Sequence, residues 1–168
     1  MRRFALLLIV SSLVVAALMP QTAAAAAPIR FVGTPFTGSF AAGSVCAFQV
    51  DTAPVAFNAV VTVFLDGAGN VTRIHVSGYV AISLTNHATG KTLVFNASGP
   101  ATEFPHADGS VTVASSGPGL FGLGPADDRG PGLLYTTGRA TFTVSPTGQI
   151  SNLSILGPVE NVCAALAA

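Results

Sequence analysis

The 168-residue chain predicts an all-β fold. The expected form is an antiparallel up-and-down meander of about eight strands, closed or nearly closed into a barrel, with a β-sandwich as the alternative. Three observations predict it. Apolar and polar residues alternate with a period of two along most of the chain, and helical periodicity is almost absent. The connections are short and rich in turn residues. Glycines recur inside the strand-like segments at Gly78, Gly99, Gly117, Gly138 and Gly157, at intervals of 21, 18, 21 and 19 residues. Glycine weakens a strand and marks a bulge or bend. Five in step predict a line of kinks across a sheet, the device that lets a sheet curl.

The N-terminus reads as a secretory signal peptide. Arg2 and Arg3 form a basic start, residues 4–18 an apolar run, and residues 20–27 a stretch of small residues. Proline just after a cut disfavours cleavage, so Ala24 and Ala26 form the recognition pair and the cut follows Ala26. The expected organisation is a signal at residues 1–26 and a single all-β domain at residues 27–168, secreted and without a transmembrane anchor after cleavage. The apolar run is short for a membrane span, and no later segment is long and apolar enough to be one.

Strands are expected at residues 29–32, 46–50, 57–65, 71–85, 92–104, 110–121, 133–144 and 149–159. In 71–85, Ile74, Val76, Val80, Ile82 and Leu84 share one face, and Arg73, His75, Ser77, Tyr79, Ser83 and Thr85 the other. In 133–144, Leu134, Ala140, Phe142 and Val144 oppose Tyr135, Thr137, Arg139, Thr141 and Thr143. One buried and one wet face is the pattern of an antiparallel sheet. Asp66-Gly67-Ala68-Gly69-Asn70, Asn86-His87-Ala88-Thr89-Gly90, His106-Ala107-Asp108-Gly109 and Pro146-Thr147-Gly148 supply the hairpin turns. Pro100, Pro118 and Pro158 each follow a recurrent glycine. Proline cannot donate to a ladder, so these sites are bulges or places where a long segment breaks into two strands that switch sheets. The alanine-rich tail, residues 162–168, is expected as a short helix.

Cys46 and Cys163 are the two cysteines of the chain. In an exported protein they read as one disulfide. It would bring the first strands beside the last segment, as barrel closure requires.

Five basic residues (Arg30, Arg73, Lys91, Arg129, Arg139) remain after the signal, against seven acidic ones, a net charge of −2. That argues against a nucleic-acid partner. Charged residues are 8% of the chain, so Thr, Ser, Asn and Gly supply much of the polar surface.

No motif carries chemistry. Gly117-Pro-Gly119-Leu-Phe-Gly122 spells the dinucleotide fingerprint, but no helix follows to meet a pyrophosphate. His75, His87 and His106 have no metal-ligand spacing and read as solvent-facing. Asp66 to Asn70 holds only part of a calcium loop. Asp127-Asp128, and Glu103 with Asp108, show no setting that marks an acid–base pair. No catalytic residue, cofactor or metal ligand is assigned. Arg73, Tyr79, Tyr135 and Arg139 read as a solvated outer face, with a binding patch as the alternative. Asn70, Asn96 and Asn152 open glycosylation sequons, which arise easily in a chain so rich in Ser and Thr.

One connection, residues 117–132, is long and full of glycine and proline. Leu120, Phe121 and Leu123 are its apolar residues, and Asp127, Asp128 and Arg129 its charged tip. The three apolar residues either pack as the end of a strand or gate one mouth of the barrel, leaving the charged tip in water.

Residues 45–50 (Val-Cys-Ala-Phe-Gln-Val), 85–91 (Thr-Asn-His-Ala-Thr-Gly-Lys), 97–100 (Ala-Ser-Gly-Pro), 132–139 (Gly-Leu-Leu-Tyr-Thr-Thr-Gly-Arg) and 163–166 (Cys-Ala-Ala-Leu) are spread over most of the mature chain. In them the chain resembles small secreted actinobacterial all-β proteins of unassigned function. The resemblance implies export and an all-β fold, and no activity. The group's Cys-Gly-Phe is Cys46-Ala47-Phe48 here.

The leading functional expectation is a secreted, non-enzymatic barrel that binds a small apolar ligand, by analogy with barrels of this size. Two other classes stay open. One is a structural or interaction protein of the cell envelope with a filled core. The other is a barrel enzyme in the manner of the cyclases related to plant allene oxide cyclase.

Overall fold

The computed structural model describes residues 26–168, so all but the last residue of the expected signal lies outside the described residues. The described chain is all-β, with every ladder antiparallel. In chain order come β1 (Ile29–Val32), β2 (Gly38–Phe40), β3 (Val50–Phe57), β4 (Val60–Leu65), β5 (Val71–Ser77), β6 (Val80–Asn86) and β7 (Thr92–Asn96). Then follow β8 (Ala101–Pro105), β9 (Val111–Ser116), β10 (Gly119–Leu123), β11 (Gly132–Thr136), β12 (Arg139–Val144), β13 (Ile150–Leu156), β14 (Val159–Asn161) and a short helix α1 (Val162–Ala167).

The recurrent glycines cut the long segments in two. Gly78 separates β5 from β6, Gly99 β7 from β8, Gly117 β9 from β10, Gly138 β11 from β12, and Gly157 β13 from β14. One half of each segment joins a seven-stranded sheet, β1-β4-β5-β8-β9-β12-β13. The other halves form a four-stranded sheet, β2-β3-β6-β7, and a three-stranded sheet, β10-β11-β14. The kinks line up across the strands: the Gly99 amide donates to the Pro118 carbonyl at 2.7 Å, and the Gly117 amide to the Gly138 carbonyl at 2.7 Å.

One large sheet therefore splits at the kink row into two. The parting lies between β7 and β10, and its cause is legible. The two segments that meet there carry Gly99-Pro100 and Gly117-Pro118. Each proline removes a ladder donor at the point where β8 and β9 would hand their pairing on to β7 and β10. The last rungs are Gly99 to Pro118 and Ser116 to Pro100, at 2.7 and 3.1 Å.

The expected barrel closure is not what the ladders show. Among the described residues β1 and β13 are edges of the seven-stranded sheet, each paired on one side. The bridge between Cys46 and Cys163 is present, with Cα atoms 5.5 Å apart, but it ties the turn before β3 to α1 rather than strand to strand. Of the strand expected at residues 46–50, residues 46–49 lie in the turn and β3 begins at Val50. Pro54 sits inside β3 at a register shift, which is how the strand tolerates it.

The core lies above the parting, between the two smaller sheets. Val50, Leu84 and Phe95 pack with Leu133, Val162, Leu166 and the Val45-Cys46 turn. The Phe95 and Tyr135 rings meet at 5.0 Å. Period-two alternation along residues 133–144 puts Tyr135 on the wet face. It is turned in instead, because the kink at Thr137-Gly138 changes the phase: Leu133 and Tyr135 point inward above it, Ala140 and Phe142 below it. The expected tail helix forms as α1, six residues long. Asn161 caps it by accepting from the Ala164 amide at 3.1 Å, and the Asn86 amide group donates to the Leu166 carbonyl at 3.3 Å.

The seven-stranded sheet has two unlike faces. Val63, Ile74, Glu103, Val113 and Phe142 stand side by side on one, and Arg30, Thr62, His75, Thr102, Ala114, Thr141 and Ser154 on the other. No helix among the described residues is long and apolar enough to cross a membrane.

Candidate functional site

Where β7 and β10 part, side chains have no neighbouring strand to fill the gap. The result is a cleft of about 200 Å³ beneath the kink row. Its apolar lining comes from four elements: Ile82 on β6, Val113 on β9, Leu120 and Phe121 on β10, and Phe142 on β12. Phe121 and Phe142 meet edge to face at 5.7 Å, which fixes one wall. Ile82 and Leu120 also line a smaller hollow of about 150 Å³ with Phe36, Phe40 and Leu133, so these two side chains divide the spaces.

Polar groups at the cleft are few. Ser115 and Ser116 line it, and the Ser115 hydroxyl donates to the Ala140 carbonyl at 3.5 Å. Glu103 stands one position beyond the lining. Ala101, on the same face of β8, lines the cleft, and so does Val113, the cross-strand partner of Glu103. The sequence showed Glu103 only as a residue near a turn. Alternation along β8 does not reveal its place, since the large apolar Phe104 takes the opposite face; only the cross-strand pairing with Ile74 and Val113 puts Glu103 in the apolar row.

The three apolar residues of the long connection belong to β10. Leu120 and Phe121 line the cleft, and Leu123 is 1% exposed. The tip beyond them is tied down rather than free. The Asp127 carboxylate accepts from the Gly124 and Ile150 amides, both at 2.6 Å, and Asp128 accepts from the Asn152 amide. Arg129 is exposed.

The remaining candidates stay apart. His75 bonds Thr102, His106 bonds Thr112, and His87 pairs with Asp51 at 2.7 Å. Among the described residues no three His, Cys, Asp or Glu come together. Hydrogen bonds from Gln49 and His87 hold the Asp51 carboxyl below its ordinary value. Asp66 accepts from the Asn70 side chain and the amides of Asn70 and Ala68, which lowers its pKa and makes this loop a closed hairpin turn. Asp108 is lowered by Ser110 in the same way. The glycines of residues 117–122 lie in the kink and in β10, with no helix behind them. Of the possible polar patch, Tyr135 is in the core, while Arg73 lies over the Phe64 ring, 4.0 Å from its centre.

Compared with protein-family models, with curated proteins and with solved structures, the chain matches none.

Proposed function

We propose that this is an exported, non-enzymatic protein that holds a small apolar ligand in the cleft at the parting of β7 and β10. The observation that carries the reading is the cleft itself: an apolar space made by two Gly-Pro breaks and walled by Ile82, Val113, Leu120, Phe121 and Phe142. Its volume of about 200 Å³ lies below that of drug-sized pockets and suits a ligand of one or two small rings. The polar lining is two serine hydroxyls, and no acid–base pair stands at the cleft, which favours binding over turnover.

On this reading the architecture is a sheet that splits, sandwich-like above the kink row and open below it, rather than a closed barrel. Phe121 is then the wall that yields as the ligand enters. The Cys46–Cys163 bond supports export, since such bonds persist in oxidising compartments.

Indole titrated into the purified chain, followed by methyl and aromatic NMR shifts, tests this. Saturable shifts at Ile82, Val113 and Leu120 are expected, with a several-fold change in affinity for Phe121→Ala. No saturable shift in the wild type removes the ligand reading. Unchanged affinity in Phe121→Ala removes the gate.

A further inference from the structure

The face of the seven-stranded sheet opposite the cleft carries a second depression, of about 380 Å³, lined by Pro28, Arg30, Thr62, Phe64 and His75. Arg30, Thr62 and His75 are successive cross-strand partners on β1, β4 and β5, so their side chains leave the sheet on the same side as immediate neighbours.

Thr62 is the informative residue. It is 9% exposed, and among the described residues its hydroxyl has no hydrogen-bond partner. Among those residues no side-chain nitrogen or oxygen is both sealed from solvent and unpartnered. The Thr62 hydroxyl therefore opens into the depression. A hydroxyl with a solvent-facing side and no protein partner can exchange its water for a ligand oxygen without breaking a bond within the fold.

Charged groups around it have one sign. Arg30 has no carboxylate partner among the described residues, where the ion pair is His87 with Asp51. The Arg73 guanidinium lies over the Phe64 ring and adds a second positive charge beside the depression. Glu103, on neighbouring β8, alternates to the other face, and the oxygens of Asp66 are taken by its own hairpin. His75 is fixed through Nδ1 to the Thr102 hydroxyl at 3.1 Å, which leaves Nε2 for a ligand.

We infer that this depression is a binding site for a small organic carboxylate with an apolar ring. The Arg30 fork takes the carboxylate. The Thr62 hydroxyl and His75 Nε2 donate to its oxygens, and the Phe64 and Pro28 rings pack against the body. The site is independent of the cleft, which opens on the other face.

The test is NMR titration of the purified chain with benzoate, benzyl alcohol and inorganic phosphate. Benzoate is expected to give saturable shifts at the Thr62 methyl and the His75 ring. Benzyl alcohol, of similar shape without charge, should bind at least about tenfold more weakly. Arg30→Gln and Thr62→Val should each weaken benzoate binding, Arg30→Gln by about tenfold or more, while Arg139→Gln leaves it unchanged. Arg30 is exposed on an edge strand, so its variant should keep the wild-type spectrum elsewhere. No saturation with benzoate overturns the site. Equal affinity for benzyl alcohol, or insensitivity to Arg30→Gln, overturns the carboxylate. Phosphate binding more tightly than benzoate overturns the organic ligand.

Discussion

Gly138→Ala should be among the most damaging small substitutions in this chain. A Cβ built on Gly138 would stand 2.0 Å from the Leu156 carbonyl oxygen and 3.0 Å from the Gly157 Cα. Both are backbone atoms, so no side-chain rotation relieves the overlap. Carbon–oxygen contacts between strands sit at about 3.3–3.6 Å, so β12 and β13 must part by roughly 1.3 Å. The same residue anchors two hydrogen bonds, from the Gly117 amide at 2.7 Å and to the Thr136 hydroxyl at 3.0 Å, and both lengthen with it. Overpacking relieved by side-chain shifts costs about 1–3 kcal/mol. Backbone must move here, and we expect about 4 kcal/mol, a large part of a domain's usual stability of about 5–15 kcal/mol. Gly148→Ala is the control. It lies in a hairpin turn at φ +84° with nothing within 4 Å, so only the left-handed penalty of about 1–2 kcal/mol applies. Urea unfolding without reductant, followed by circular dichroism, compares the two. Failure of Gly138→Ala to fold, beside a folded Gly148→Ala, agrees with the reasoning. A Gly138→Ala midpoint at or above that of Gly148→Ala refutes it.

Replacing Cys46 and Cys163 together by serine should cost about 2–5 kcal/mol, because the bond closes a loop spanning 117 residues; an unchanged urea midpoint would show that the turn and α1 stay docked without it. Acid should destabilise the protein in a defined window. Asp51, Asp66 and Asp108 all have folded pKa values below the ordinary 3.8. Their contribution is therefore full above about pH 4 and is lost as pH falls through the lowered folded values. Urea midpoints measured from pH 6 to pH 2.5 should drop at the acid end, and Asp66→Asn should flatten part of that drop.

Much of this was written in the sequence, and the exceptions share a cause. Period-two alternation places Ile82 and Leu84 correctly because β5 and β6 keep one phase across Gly78. The same reasoning misplaces Tyr135, because phase is carried by an unbroken strand and the kink at Thr137-Gly138 resets it. The glycine row foretells the kinks, but not whether the sheet beyond them curls shut or divides. That depends on which segments become neighbours. Gly99-Pro100 and Gly117-Pro118 were each visible, yet their effect comes from facing one another across one ladder, a pairing fact rather than a local one. Thr62 is the extreme case. A threonine in a strand carries no signal, and its significance arises only when Arg30, from a different strand, is set beside it.

The split also explains why full burial is concentrated in one part of the molecule. Above the kink row two sheets face each other, α1 plugs the end, and the disulfide ties the plug to the turn before β3. Full burial is concentrated there. Below it, among the described residues, a single sheet has no layer opposite it, and Ile29, Phe31 and Val32 on its edge strand are 53, 51 and 68% exposed. A lone sheet of this kind is stable only because its strands continue into the packed half, so each kink joins two regions as well as bending a strand. The arrangement leaves both faces of the lower sheet free to differ, one apolar with Glu103 in its row and one basic with Thr62 opened to solvent. A closed barrel would have sealed the first of these inside and left only the second to meet a ligand.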